Sequence, residues 1–220
     1  MIRQGRVARV VDTKAPPRKK HTEKQYYEYL KGKSVILIGP ASYYEEPELD
    51  HDVVVRMNHG FNLLRRTNVL YINTLFGGKT DRIGELCEAL SGGLDIDWLI
   101  AKNGRVYDWG FDVPTVVMNN HYGQRIKRSI PRPGKAINLG TIAIKHLLDA
   151  DISKLTIRGI DFYQSVYYDG YHSEVKTLKQ LQEHVKRTHN ITGQVEYLKN
   201  LLRGDARVDI DQTLRKILHG

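Results

Sequence analysis

Tyrosine and histidine side chains that could carry out catalysis are concentrated in one segment of the chain, between Asp161 and His189. Tyrosine rings can stack on a base or a sugar, and histidine can act as a general base because it titrates near neutral pH. The residues concerned are Tyr163, Tyr167, Tyr168, Tyr171, His172, His184 and His189. A single histidine more often packs or lies on a surface, so the cluster as a whole is what suggests a site.

Two polar turns follow apolar runs near the start of the chain. The turn Gly39–Ser42 (GPAS) comes directly after residues 34–38, and Asn58 follows the run that contains Val53–Val55. The N–H groups of a small-residue turn can approach a phosphate closely, and an asparagine can donate to a phosphate while it accepts from a sugar hydroxyl. Neither turn has the spacing of a Walker loop or a dinucleotide fingerprint.

A third candidate is the sequence Asn138-Leu139-Gly140-Thr141, which opens a predicted helix over residues 138–148. A polar N-cap followed by glycine directs free N–H groups and the positive end of the helix towards one point. Such a helix start can bind an anion.

The sequence contains no compact cluster of metal ligands. It has no H-E-x-x-H or D-x-D motif, and His184 and His189 are five residues apart, so they do not share a helix face. We therefore expect no protein-bound metal and no other cofactor.

The elements that must position these residues alternate between strand and helix, which predicts an α/β fold with a mostly parallel sheet flanked by helices. The predicted strands are 34–38, 53–55, 68–75, 98–101, 113–118, 155–160 and, at an edge, 208–210. The predicted helices are 21–31, 80–90, 138–148, 177–185, 193–202 and 212–218, and residues 121–133 are predicted to form a basic loop. Because ligands of such folds bind beyond the carboxyl ends of the strands, the polar turns should line the site.

The length of 220 residues predicts one domain over residues 34–220, preceded by a basic arm and a short helix over residues 1–33. In that helix Thr22 is the predicted N-cap and Gly32 the predicted stop. The formal charge of +9 favours phosphorylated or polyanionic partners. The single cysteine excludes an internal disulfide, and no apolar run is long enough to span a bilayer or to serve as a secretory signal, so we expect a soluble, cytoplasmic protein.

The order and spacing of these stretches resemble the sialyltransferase superfamily, of the family 29 type, which comprises metal-independent CMP-sugar transferases with a variant GT-A fold. Residues 51–58 (HDVVVRMN), with the strand and turn before them, resemble the large sialyl motif, and residues 138–162 resemble the small motif. Tyr167-Tyr168-Asp169 or Tyr171-His172 resembles the third motif. His189, five residues before Gln194, resembles the very small motif. The resemblance covers residues 34–203.

The resemblance implies a single GT-A-like, Rossmann-type domain and an inverting transfer from a CMP-sugar, with His189 as the general base. It also implies a glycan or glycolipid acceptor. The residues implied in nucleotide-sugar binding are Gly39, Ala41, Ser42, Asn58, Asn138, Gly140, Thr141, Asp161, Tyr167 and His172. The acceptor pocket is expected in the variable loops over residues 104–113 and 121–133.

The chain departs from the family pattern at several positions. Pro40 stands where the family has asparagine and removes one N–H donor, Asn138-Leu139 replace Ser-Thr, and Gln194 replaces glutamate. The cysteine pair of secreted members is absent. These departures leave the donor open among sialic acid, another CMP-linked acid sugar and a different nucleotide sugar.

Two other functions fit the charge. The same fold could glycosylate modified bases in DNA, because the basic arm and the basic residues 125–135 could follow phosphates. A non-enzymatic nucleic-acid-binding module could use the tyrosines of residues 163–171 as a stacking platform. The sequence leaves the acceptor and the oligomeric state undetermined.

Overall fold

The computed structural model describes residues 21–42, 50–63, 65–73, 81–102, 112–118, 120–130, 136–169, 171 and 177–220. The strands are β1 (Ser34–Ile38), β2 (Val53–Met57), β3 (Val69–Ile72), β4 (Trp98–Ala101), β5 (Thr115–Val117), β6 (Lys154–Arg158) and β7 (Val208–Ile210). The helices are α1 (Glu23–Leu30), α2 (Asp81–Ser91), α3 (Asn120–Ser129), α4 (Leu139–Leu148), α5 (Leu178–Thr188), α6 (Ile191–Leu202) and α7 (Gln212–His219), with a short 3-10 turn at Asn58–Leu63.

The strands form one sheet in the order β5-β4-β3-β2-β1-β6-β7, and every strand pair is parallel. The predicted α/β fold is therefore confirmed. From β1 the chain builds one side of the sheet through β5 and then crosses to the other side for β6 and β7. The strand order reverses between β1 and β6, which is where an open parallel sheet forms its ligand crevice.

Both faces of the sheet are covered, which explains the nearly continuous apolar runs in its strands. Within β3, Val69 and Tyr71 join the core formed with α1, α4, α6 and α7. Their neighbours Leu70 and Ile72 point to the opposite face and pack with Leu86 of α2. No helix in the described part of the chain combines the length and apolarity that a membrane span requires.

Helix α1 begins and ends where the sequence predicts. Thr22 is its N-cap, in a capping box with Gln25, and Gly32 follows it with a φ of 70°. The helix is tied to the core because Glu23 Oε1 lies 2.8 Å from Nε2 of the buried His146. That hydrogen bond lowers the pKa of Glu23. The domain boundary at residue 33 stays a prediction.

The prediction of a basic loop over residues 121–133 is wrong for most of its length, since residues 120–129 form α3. Tyr122, Ile126 and Ile130 recur every four residues and are buried, whereas Arg125 and Arg128 are exposed. The apolar stripe of α3 is narrow and lies among many basic residues, so the amphipathic periodicity of a helix is hard to recognise in the sequence. Residues 131–135 lie outside the described residues.

Candidate functional site

The turn after β1 is joined to the end of β6 by its own amide groups. Gly39 N donates to Arg158 O (2.8 Å), Ala41 N to Gly159 O (3.1 Å) and Ser42 N to Val166 O (3.1 Å). The N–H groups expected to hold a phosphate thus already have protein acceptors. These contacts hold the turn against the end of β6 and the loop that follows it. A phosphate-binding role for Gly39, Ala41 and Ser42 stays a prediction.

The loop after β6 is held in an unusual conformation by Asp161. Phe162 and Tyr163 have φ angles of 51° and 69°, which non-glycine residues rarely adopt. The buried carboxylate of Asp161 accepts from Tyr163 N (2.9 Å) through Oδ1 and from Ser165 N (2.6 Å) and Ser165 Oγ (2.5 Å) through Oδ2. Asp161, an implied nucleotide ligand, therefore shapes the loop that presents Tyr163, and backbone strain of this kind is concentrated at functional sites.

Three tyrosines form a cluster at the carboxyl edge of the sheet. The ring centroids of Tyr167 and Tyr171 are 4.8 Å apart, and those of Tyr163 and Tyr167 are 6.4 Å apart. Asn58 Nδ2 donates to the Tyr171 hydroxyl (3.4 Å), while Asn58 Oδ1 accepts from Asn73 N (2.9 Å). Burial raises the pKa of Tyr163 and of Tyr167 well above the ordinary value, so both phenols remain protonated and can donate to an anion.

The start of α4 lies at the same edge. The Asn138 side chain caps the helix by accepting from Thr141 N (2.7 Å), and it also hydrogen-bonds the Tyr163 hydroxyl. A Cβ built on Gly140 would lie 3.7 Å from Ile160 and 3.8 Å from Met57, so the helix start packs over the ends of β6 and β2. The buried Thr141 Oγ1 has no hydrogen-bond partner in the described structure.

His189 joins this group through the backbone that precedes α4. Its Nδ1 lies 2.8 Å from Ala136 O, and its ring stacks on Tyr163 with centroids 6.1 Å apart and an interplanar angle of 9°. Because a carbonyl can only accept, Nδ1 carries the proton and Nε2 is the basic nitrogen. Burial lowers the pKa of His189; the Ala136 carbonyl opposes this, and the electrostatic effects of Lys102 and His184 add to it. The imidazole is therefore neutral at pH 7, as a general base must be.

Gln194 connects the starts of two helices at the site. Its Oε1 accepts from Asn138 N (2.8 Å) and its Nε2 donates to Asn190 O (3.1 Å), and the side chain is 1% exposed. An amide can accept and donate at the same time, whereas an ionised carboxylate can only accept. A glutamine at this position therefore suits the two groups that it contacts.

We expect Gln194→Ala to destabilise the fold by about 1–3 kcal/mol, because the partly buried Asn138 N loses its acceptor and Asn190 O loses one of its two donors. Gln194→Glu should also destabilise at neutral pH, and its deficit should shrink as the pH falls, since a protonated carboxyl can again donate to Asn190 O. Denaturant unfolding at several pH values measures both effects. Gln212→Ala, at an exposed position of α7, should change stability by no more than about 0.5 kcal/mol. Equal stability of all three variants would contradict the connecting role.

A cavity of about 530 Å³ opens beside His189 and Tyr163. Its polar lining includes the amides of Gln164, Gln182 and Asn190, with Lys186, Thr192 and His189. Side-chain amides suit the hydroxyls of a sugar, because each can donate and accept.

The structure thus brings Asn58, Asn138, Gly140, Thr141, Tyr167 and His189 to one edge of the sheet, while His172 lies outside the described residues. Sequence reasoning did not single out Lys102, which follows β4 and whose Nζ donates to Ile137 O (3.3 Å). The only signal was a lysine directly after a predicted strand. No three His, Cys, Asp or Glu side chains in the described ranges form a group that could hold a metal ion.

Solved structures of bacterial sialyltransferases have a similar fold. The sialyltransferase CstII from Campylobacter jejuni in complex with cytidine-5'-monophosphate matches with a TM-score of 0.54 and 16% identity, over 82% of this chain and 80% of that chain. CstII in complex with a trisaccharide acceptor and CMP matches with a TM-score of 0.51 and 15% identity, over 80% of each chain. The monofunctional alpha-2,3-sialyltransferase Cst-I from the same organism matches with a TM-score of 0.50 and 17% identity, over 80% of this chain and 74% of that chain. No protein-family model and no curated protein matches the sequence. At these identities the likeness establishes the fold.

Proposed function

We propose that this protein is an inverting glycosyltransferase that moves an acid sugar from a CMP-sugar to a hydroxyl of a glycan acceptor. The observation that carries the proposal is a neutral His189 whose Nδ1–H is held by Ala136 O, beside a helix start suited to a phosphate. The fold shared with CMP-bound sialyltransferases supports the choice of donor.

In this reaction Nε2 of His189 takes the proton of the acceptor hydroxyl as its oxygen attacks the anomeric carbon. The bond from that carbon to the donor phosphate breaks, and its electron pair leaves with CMP. A general base of this kind must be neutral, and the low pKa of His189 keeps it so near pH 7.

The developing charge on the phosphate requires positioned donors. The start of α4 offers its first two N–H groups, since the third is already held by the Asn138 cap, together with the buried Thr141 hydroxyl. The protonated phenols of Tyr163 and Tyr167 lie nearby. In this proposal Asn58 contacts the ribose or the phosphate. These donors are all neutral, and together they can stabilise a departing phosphate.

The acceptor would enter the cavity beside His189. Its amides can hydrogen-bond sugar hydroxyls while the acceptor hydroxyl reaches Nε2. A glycan acceptor agrees with the trisaccharide bound to the structural neighbour CstII. Residues 104–113 and 121–133 are the ranges in which the sequence predicts the acceptor pocket, but none of their described residues lines this cavity. Residues 104–111 and 131–133 lie outside the described residues.

We expect CMP to stabilise the folded protein against heat, with UMP, GMP and AMP doing so much less, and EDTA leaving the effect unchanged. A ligand that binds only the folded state at a hundredfold excess over its Kd adds about 2.7 kcal/mol to stability. A thermal-shift series with the four nucleotides, with and without EDTA, measures this.

A preference for UMP would overturn the CMP donor while leaving a transferase possible. The absence of any nucleotide effect, combined with tight and salt-sensitive binding of DNA, would instead support a nucleic-acid-binding protein.

A further inference from the structure

Lys102 is a partly buried cation for which the described part of the chain supplies no counterion. Its backbone N–H donates to Ile72 O (3.1 Å) and its Nζ to Ile137 O (3.3 Å). Within the described structure no carboxylate pairs with this ammonium. Loss of solvation lowers its pKa, so the position is unfavourable for a charge that has no partner. Buried charges normally have a partner, and an unpaired one in a cleft marks a candidate binding site.

The ammonium lies close to the proposed reaction centre. Ile137, which accepts from it, directly precedes the N-cap Asn138 of α4 and directly follows Ala136, which holds His189. Lys102 and the positive end of α4 therefore meet at one point. An anion bound there would supply the counterion that the described residues do not provide for Lys102.

We propose that Lys102 binds the phosphate of the donor and stabilises it as it leaves. The proposal rests on the proposed transferase function and adds a charged residue to a set of donors that is otherwise neutral. The donor phosphate is a diester with one negative charge, and its monoester product carries close to two at pH 7. The attraction of Lys102 is therefore stronger in the transition state than in the bound donor, so it should act on kcat more than on KM.

A second consequence concerns His189. The positive charge of Lys102 contributes to the low pKa of that imidazole. Removing the charge should raise the pKa of His189 and move the acid side of the pH–rate profile to higher pH.

The test compares Lys102→Met and Lys102→Arg with a control, Lys154→Met. Lys154 is the exposed first residue of β6, so it lies at the amino ends of the strands, away from the proposed site. Calorimetric titration with CMP and with cytidine separates the phosphate from the nucleoside. We expect Lys102→Met to weaken CMP binding about 10- to 100-fold, the range of a charged hydrogen bond, with cytidine binding unchanged. Lys102→Arg should retain most of the CMP affinity, and the control should match the wild type.

Thermal unfolding without ligand distinguishes this role from a merely structural one. If Lys102 only stabilised the fold, Lys102→Met would melt at a lower temperature than the wild type. Because Lys102→Met removes a poorly solvated charge, it should melt no lower than the wild type even as it loses CMP affinity. Equal losses for CMP and cytidine, no loss for either, or a lower melting temperature would overturn the role of Lys102. A wild-type protein that binds no CMP would overturn the transferase proposal itself, which distinguishes the two failures.

Discussion

Replacing His189 with alanine is expected to lower the rate of sugar transfer by about 10²- to 10⁴-fold, the usual contribution of a positioned general base. The physical reason is that no other group in the described site combines a neutral basic nitrogen with a fixed orientation. Ala136 O fixes the Nδ1 proton, and Tyr163 supports the ring face. The measurement is transfer of the sugar from a CMP-sugar to a glycan acceptor, with CMP binding measured on the same preparations.

His184→Ala is the matched control, because His184 is an exposed histidine of α5 five residues earlier. That variant should keep nearly full activity. His189→Ala should keep its affinity for CMP, since the nucleotide contacts proposed above lie on α4, β2 and the tyrosine cluster. Full activity of His189→Ala would remove this residue from the mechanism.

The pH dependence of the same assay has a defined sign. The pKa of His189 lies below its ordinary value of 6.5, mainly because of burial. The base is neutral and active above its pKa, so the rate should stay high at pH 6.5 and fall only at lower pH. A rate that is already halved above pH 6.5 would contradict the low pKa.

Gly39→Ala is expected to have the largest effect on stability. A Cβ at this position would lie 2.1 Å from Gly159 O and 2.6 Å from Gly159 C, and these are backbone atoms that cannot rotate away. β1 and β6 would have to separate at the crevice, and overpacking of this kind typically costs about 1–3 kcal/mol, occasionally more. Denaturant unfolding of the variant and the wild type measures the loss.

Gly84→Ala is the matched control. Gly84 lies in α2, is exposed, and has no atom within 4 Å of a Cβ built on it. Because alanine favours a helix over glycine, this variant should gain about 0.5–1 kcal/mol. If Gly39→Ala were as stable as Gly84→Ala, the close approach of β1 and β6 would not determine which residue is tolerated at position 39.

The candidate site was predictable from sequence to different degrees at different residues. Asn138 could be identified because an N-cap is a local signal, and the structure shows it capping α4. The sequence predicts phosphate donors at Gly39, Ala41 and Ser42, because a small-residue turn after a strand has the same pattern whether or not its amides are free. Only the partners Arg158, Gly159 and Val166, more than a hundred residues away in the chain, show that those amides are occupied.

The sequence alone determined the features that depend on residues close to one another in the chain. Short apolar runs predicted the buried strands, and polar caps predicted where α1 and α4 begin. The alternation of strands with helices predicted the parallel sheet and therefore the edge where a ligand would bind.

Tertiary structure alone decided which groups meet at that edge. The contacts that define the site join residues far apart in the chain: His189 and Ala136 are separated by 53 positions, Gln194 and Asn138 by 56, and Lys102 and Ile137 by 35. Each contact depends on the strand order and on the packing of α4 across the strand ends, which no local pattern encodes. The loss of solvation that lowers the pKa of His189 and of Lys102 likewise exists only once the chain has folded.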